Sequence, residues 1–357
     1  MVAHLCCSVD AGYFLKRLKE DFPDEKIIGY FYDPNIHPYS EFKLRSLDTK
    51  RICEKLGIEY VEGEYDYLAW YNKTKGMENE PEKGLRCSVC FDLSLEEAAR
   101  FAKKNSHDKV TTSLLMSPMK SHEQLEKIGR VIKRKYDIDF LNVDYRKKGG
   151  TQSQQTYAKE NQLYRQDYCG CLYGIWQQKQ HQEIIDELIS PFPFQVLPSS
   201  IEEKLDFYKN RTELEDRGIK YRIIKENFLN YRLLNAKVEV KREVIPYYVL
   251  FYSHLKRPQR VRIEFEKEGL AYTNRAQIVF IKLSKLNKVL NKTYHNISEL
   301  YRAPLSVTEE LEIREKVTNA RFNLTPLIVL EEFEEVRYDI EINSKIYPDT
   351  KEILIKF

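Results

Sequence analysis

VAHLCCSVDAGYFLKRLKEDFPDEKIIGYFYDPN, residues Val2–Asn35, reads as one complete strand–helix–strand unit. Val2–Leu5 is a short apolar run that stops at Cys6–Cys7. Ala11–Asp21 follows, with Tyr13, Phe14 and Leu18 spaced as on one side of a helix. Lys26–Tyr32 (KIIGYFY) has the texture of a buried strand, and Asp33-Pro34-Asn35 ends it with a turn signal. The same rhythm continues outward. A charged amphipathic helix over Ser40–Leu56 precedes a strand at Ile58–Glu62; a helix at Leu93–Lys104 precedes a strand rich in β-branched residues at Lys109–Leu115; a helix at Glu123–Tyr136 precedes a strand at Asp139–Val143. Strands alternating with helices predict an α/β fold, a mostly parallel sheet with helices on both faces.

Sheets of this nucleotide-hydrolase-like kind bind ligands beyond the carboxyl ends of their strands. Cys6–Cys7, Asp33–Pro38 and Ser117-Pro118 all fall just past predicted strands. Beyond Ser190–Ser200, a segment with three prolines, the texture changes. Ser199 or Ser200 can cap a charged helix running to about Asp216, with Glu202 or Glu203 completing a capping box. Alternating runs at Tyr221–Ile224, Lys237–Val244, Tyr247–Tyr252, Arg260–Glu266 and Gln277–Lys282, helices at Leu283–Leu290 and Thr308–Ala320, and strands at Val336–Ile342 and Glu352–Phe357 predict an α+β domain with an antiparallel sheet. The chain thus divides into residues 1–195, carrying the cysteines, and an accessory domain at 200–357.

The formal net charge of +3 neither demands nor excludes a nucleic-acid partner, because binding depends on where charge clusters. No apolar run approaches the roughly 20 residues a bilayer span needs, and the N-terminus lacks a basic segment leading into an apolar one. Both features predict a cytoplasmic protein, where thiols stay reduced. Of seven cysteines, six come in close pairs: Cys6–Cys7, Cys87/Cys90 and Cys169/Cys171. Such pairs in a reducing compartment point to metal or redox chemistry. A C-x-x-C turn brings two thiolates to one ion or cluster, and Gly170 lets the C-x-C segment bend tightly. Adjacent Cys6 and Cys7 are expected to diverge and serve separate centres. Asp10 would add a hard oxygen ligand. Six thiolates and a carboxylate exceed what one zinc or one cubane takes, so a four-cysteine [4Fe–4S] cluster beside a mononuclear iron held by two cysteines and Asp10 is the simplest split. A four-thiolate structural zinc site competes with it. Cys53, inside an amphipathic helix, reads as buried and inert.

The first half of the chain resembles the cobalamin-independent epoxyqueuosine reductases, the QueH family. The resemblance lies in HLCCSVD (His4–Asp10), FYDPNIHPYSEF (Phe31–Phe42), RCSVC (Arg86–Cys90), TTSLLMSPMKSHEQLEKIG (Thr111–Gly129), VDYRKKGG (Val143–Gly150) and QLYRQDYCGC (Gln162–Cys171), and it covers residues 1 to about 180. It implies reduction of the epoxide of epoxyqueuosine, at the tRNA wobble position, to the alkene of queuosine. It also implies a [4Fe–4S] cluster beside a second iron bound by cysteine and aspartate. One departure stands out: the family's first motif often reads Cys-Cys-Ala-Pro, and Ser8-Val9 replaces Ala-Pro here.

Such a reduction consumes two electrons and two protons, so a proton donor and an electron donor are required; the sequence names no electron donor. His37, Tyr168 and Tyr164 are the proton-donor candidates, while His4, within a buried strand, reads as a hydrogen-bonded core histidine. Arg146, Lys147 and Lys148 before Gly149-Gly150, and Arg165, are the candidate tRNA contacts. Basic and aromatic residues also alternate over Lys237–Arg262, as a wider tRNA surface would, but the outer face of an antiparallel sheet is the preferred reading of them. Two further readings compete. An ATP-dependent thiolating enzyme would need a glycine-rich loop after the first strand, where Cys-Cys-Ser-Val-Asp-Ala-Gly stands instead. A zinc-stabilised RNA-binding module would contain neither iron nor sulfide.

Overall fold

The computed structural model describes residues 1–118, 120–166, 168–179, 195–275 and 277–357. Strand β1 (Val2–Leu5) lies between β2 (Ile28–Phe31) and β4 (Lys109–Thr112) and runs parallel to both, with His4 opposite Tyr30 and Thr112. Strands β3 (Glu59–Glu62) and β5 (Asp139–Phe140) complete a five-stranded parallel sheet in the order β3-β2-β1-β4-β5. Every residue of β1 is buried, as expected of a parallel strand covered on both faces. Helix α1 (Ser8–Asp21) packs Phe14, Leu15 and Leu18 into the core, and α4 (Leu85–Lys104) adds Leu95, Ala98, Ala99 and Ala102. The order reverses direction between β1 and β4, so a crevice opens past their carboxyl ends.

The elements differ in detail from the sequence reading. Helix α4 begins eight residues before the predicted Leu93, which places Cys87 and Cys90 inside it, not in a preceding turn. Positions three apart share one helix face, so the two thiols still converge. Beyond β4 the predicted strand tightens into a 3₁₀ turn, Ser113–Met116, where the Thr112 hydroxyl accepts from the Leu114 N–H. Helices α2 (Tyr39–Lys55) and α5 (His122–Tyr136) match their predicted stretches closely, whereas α3 (Tyr67–Thr74), α6 (Gly150–Glu160) and α7 (Leu172–Lys179) carry mixed composition and left no clear periodicity.

Two compact units divide the chain: Met1–Gln182, Lys204–Ile223 and Leu354–Phe357 form the first, and Glu183–Glu203 and Ile224–Ile353 the second. The single predicted boundary between residues 195 and 200 therefore differs from this interleaved division. Helix α8 (Ile201–Asp216) belongs largely to the first unit because Arg211 bonds Asp48 and Arg51 bonds Glu215. Residues 190–194 of the proline-rich segment lie outside the described residues.

Strands β6 (Tyr221–Val240) to β13 (Arg337–Lys356), with β10 at Leu270–Thr273, form the eight-stranded sheet at the core of the second unit, in the order β7-β6-β13-β9-β10-β11-β12-β8. Five of its neighbouring pairs run antiparallel, as expected, and one departs from that. β11 (Val279–Lys282) and β12 (Leu327–Leu330) pair in parallel, with helices Leu283–Leu290, Ile297–Arg302 and Val307–Thr318 between them in the chain. β6 (Tyr221–Val240) and β13 (Arg337–Lys356) are each continuous through residues whose mixed exposure had hidden the alternation. β7 (Glu243–Val244) and β8 (Tyr248–Val249) at the edges are two residues long. Arg260 of β9 (Gln259–Lys267) is exposed and paired with Asp339. Among the described residues no helix is long and apolar enough to cross a membrane.

Gly129 marks where α5 meets β5: a Cβ there would lie 2.3 Å from Phe140 Cδ1 and 2.7 Å from its Cβ. Alanine gains about 1 kcal/mol of helix propensity over glycine, whereas overpacking costs about 1–3 kcal/mol. Gly129→Ala is therefore expected to lower the thermal midpoint, and calorimetry checks the sign.

Candidate metal centre

Strand β1 delivers Cys6 to the crevice. Its backbone N–H donates to Ser113 Oγ at 3.2 Å, tying it to the turn after β4. Cys7 follows in extended conformation (φ −167°, ψ 162°) and caps α1, whose first turn carries Asp10. The Cys6 and Cys7 sulfurs lie 3.9 Å apart, and Cys6 Sγ lies 3.7 Å from Asp10 Oδ2. The expected divergence of Cys6 and Cys7 is thus overturned: the two thiols sit side by side where β1 gives way to α1. The ligating atoms of Cys6, Cys7 and Asp10 all lie within 4.8 Å of one another, a spacing that suits one ion. Gln154 of α6, itself buried, fixes the carboxylate by donating to Asp10 Oδ1 at 2.7 Å. Burial pushes the Asp10 pKa up, against the Gln154 hydrogen bond.

The other four cysteines line the same cavity, of about 360 Å³. Trp70 of α3 donates Nε1–H to Cys90 Sγ at 3.3 Å. Lys120 Nζ donates to Cys169 Sγ at 3.3 Å, and the Gly174 N–H to Cys171 Sγ at 3.1 Å. The Cys171 hydrogen bond holds Cys169 well below the usual thiol range despite burial, with Lys120 and Arg45 adding to it; the same bond and burial push Cys171 up. Burial raises Cys87 and Cys90. Arg45 of α2 fixes the C-x-C segment by donating to the carbonyls of Cys169 and Tyr168, both at 3.1 Å. Cys53 is buried in the core, away from the cavity lining, and burial pushes its pKa up to about 12.

The proton-donor candidates separate. Tyr168 lines the cavity, but its hydroxyl donates to the His37 carbonyl at 2.8 Å. His37 is half-buried beside Tyr67 and outside the cavity lining, and burial lowers its pKa. Tyr164 donates to Glu41 at 2.9 Å. His4 bonds Thr112 Oγ1 and the Tyr32 carbonyl, and burial pushes it down to about 4, as befits a neutral core histidine. Asp33, two residues past the end of β2, belongs to the Asp33–Pro38 segment expected near the site, though its type and spacing do not single it out. It is 6% exposed and lines the cavity, and its Oδ2 has no hydrogen-bond partner. Burial raises its pKa to about 8, with Arg45 opposing.

The candidate tRNA contacts also part ways. Arg146 Nη1 donates to the carbonyls of Ser117 (3.0 Å) and Lys120 (3.3 Å), bracing the loop that holds Lys120. Lys147 is exposed and paired with Asp144 at 3.4 Å. Lys148 lines a shallow cleft with Lys16 and Arg17, and Arg165 bonds Gln155 at the surface.

The model of the family "Epoxyqueuosine reductase QueH" matches residues 1–177. A protein of that name from Helicobacter pylori is 39% identical over 96% of this chain and 97% of its own length. The chain belongs to the QueH family. Other QueH relatives match about half of the chain: the Histophilus somni protein is 36% identical over 49% of this chain and 72% of its own length, and the Thermotoga maritima protein 32% identical over 52% and 95%. Among solved structures, the chain is similar to the U34-tRNA thiolase NcsA from Methanococcus maripaludis with its [4Fe-4S] cluster, at a TM-score of 0.34 and 14% identity over 59% of this chain and 71% of that one. Family membership makes this chain an oxidoreductase, an epoxyqueuosine reductase. Its Ser8, at the departure from the frequent Ala-Pro, uses its hydroxyl to donate to Asp48 at 2.5 Å.

Gly170 holds φ +115°, and a Cβ there would meet Arg45 Nη1 at 3.0 Å and Ile36 Cγ1 at 3.1 Å. This backbone region costs a side-chain-bearing residue about 1–3 kcal/mol. Gly170→Ala is expected to destabilise the protein by that order, measured by denaturant unfolding, and to loosen Cys169 and Cys171 together.

Proposed function

We propose that Cys6, Cys7 and Asp10 hold a single iron, that Cys87, Cys90, Cys169 and Cys171 hold a [4Fe–4S] cluster, and that the chain uses both to convert epoxyqueuosine in tRNA to queuosine. The overall change takes up two electrons and two protons and releases the epoxide oxygen as water. The observation that carries this reading is the convergence of two thiols and one buried carboxylate in the cavity that four more thiols line. The donor set fits. Four soft thiolates suit an iron–sulfur cluster, and a mixed thiolate–carboxylate site leaves positions open for an oxygen of the substrate. When bound, the two groups supply electrons singly and a Lewis acid at the departing oxygen.

The chain's own residues do the rest. Gln154 aims Asp10, and Ser113 holds Cys6. The N–H groups of Trp70 and Gly174 and the ammonium of Lys120 donate to the sulfurs of Cys90, Cys171 and Cys169, which offsets the charge of a thiolate-bound cluster. Asp33 holds a proton at the cavity wall and releases it to the epoxide oxygen as the C–O bond opens. Lys147, Lys148 and Arg165, being at the surface, are the residues we assign to tRNA phosphates; Arg146 acts through the Lys120 loop. An electron donor completes the system in the cytoplasm. A zinc-stabilised RNA-binding module and an ATP-dependent thiolating enzyme fit less well, since neither uses the carboxylate beside Cys6 and Cys7.

Anaerobic iron and sulfide analysis tests the assignment. Asp10→Ala and Cys7→Ala are expected to retain sulfide, lose about one iron per chain, and lose activity. Loss of sulfide together with the iron, or a colourless wild-type protein containing zinc, overturns it. A separate pH experiment tests Asp33. The neutral acid is the active form and its pKa is raised to about 8, so kcat/KM is expected to be flat below that value and to fall above it. Asp33→Asn should lower kcat by about 10²–10⁴-fold with iron content unchanged, the range a lost general acid gives. Wild-type kcat in that variant excludes the role.

A further inference from the structure

Asp48, in the middle of α2, is fully buried, and its two oxygens face different tasks. Oδ2 accepts from the Ser8 hydroxyl at 2.5 Å and from the Tyr164 N–H at 2.7 Å. Ser8 directly follows Cys7 and opens the helix that carries Asp10. Tyr164 opens the run that leads to Cys169 and Cys171. One carboxylate oxygen therefore ties together both ends of the proposed metal site. Oδ1 faces the cations instead: Arg211 Nη2 donates to it at 2.5 Å, and Arg51 Nη1 lies farther off at 3.4 Å. Arg51 is engaged elsewhere, donating through Nε and Nη2 to Glu215, both at 2.7 Å.

Arg211 is fully buried, stacks its guanidinium over Tyr208 at 4.5 Å, and donates to the Gln162 carbonyl at 3.0 Å. Tyr208 in turn packs edge-on against Tyr164 at 5.4 Å. A buried carboxylate keeps its charge only with a close partner. Burial works against the Asp48 charge, and Arg211, ahead of Arg51, Ser8 and Tyr164, overcomes it and holds the group below the usual carboxylate range. Arg211 lies beyond residues 1–177, the segment the family model matches.

We infer that Arg211 is a positioning residue of the active site: through Asp48 it sets Ser8 and Tyr164, and with them the Cys6–Cys7–Asp10 and Cys169–Cys171 segments. Helix α8 thereby braces the site through this one residue. The inference rests on the proposed metal site for its consequence, while the brace itself is the set of contacts among Arg211, Asp48, Ser8 and Tyr164.

Thiol alkylation of the full-length, metal-free protein tests it, with iodoacetamide under native conditions and each cysteine followed by peptide mass spectrometry. Arg211→Met is expected to speed labelling of Cys6, Cys7, Cys169 and Cys171 by about tenfold, while Cys87 and Cys90, on α4 and without a tie to Asp48, change by less than about twofold. Arg211→Lys should restore most of the protection. Glu215→Gln loosens the same helix through Arg51 but leaves the Arg211–Asp48 pair, and should leave the four rates near wild type. In an Asp48→Asn background, Arg211→Met should add nothing further. Equal acceleration at all six cysteines, equal effects of Glu215→Gln, or additive effects with Asp48→Asn would each overturn the inference. Failure of the iron assignment leaves these rates untouched, so the two ideas fail separately.

Discussion

Everything in the first unit depends on β1 being bonded on both sides, to β2 and to β4. Parallel pairing at both edges forces the chain to cross over in opposite directions from the centre, and a crevice opens past the strand ends. Cys6 sits at that exit with Ser113 of the neighbouring strand's turn against its backbone. A shift of either pairing by one residue would carry the thiol to the other face of the sheet. Of the other ligand candidates, Cys7 and Asp10 come from the start of α1 and the rest from α4 and the segment before α7, and all line the crevice.

Charge is handled by local neutralisation. Along α2, Glu41, Arg45 and Asp48 are buried at spacings that keep them on one side of the helix. Arg45 accounts for Glu41 and for two carbonyls of the C-x-C segment. Burial disfavours the Arg45 charge, yet Glu41 and the neighbouring tyrosines more than offset it and its pKa is raised. A near-neutral whole-chain charge thus conceals a strongly polar seam beneath the site.

The fold was legible where period and turn chemistry agree. Val2–Leu5, Lys26–Tyr32 and the α2 and α5 stretches stand out because a covered parallel strand is continuously apolar and a covering helix is striped. The start of α4 was hidden because Leu85–Cys90 (LRCSVC) mixes apolar, polar and cysteine residues, with little stripe to detect. The parallel pair in the second sheet rests on Leu327–Leu330, a buried, continuously apolar run of four residues too short to show any period. In the site, the six paired cysteines and Asp10 were visible as residue types in a pattern. Gln154, Trp70, Ser113 and Lys120 were invisible, since each is an ordinary residue until tertiary packing brings it to a sulfur or a carboxylate. Arg211 lay in what read as an accessory domain, and only its contact with Asp48 returns it to the first unit.

The two sheets end in similar ways. The outermost strands of the second are two residues long, β5 of the first is equally short, and β3 presents Glu59 and Glu62 as exposed carboxylates. Open backbone edges invite strand addition from another molecule, and short or charged edges discourage it. Among the described residues, neither sheet thus offers a second copy a long, apolar rail on which to begin an aggregate.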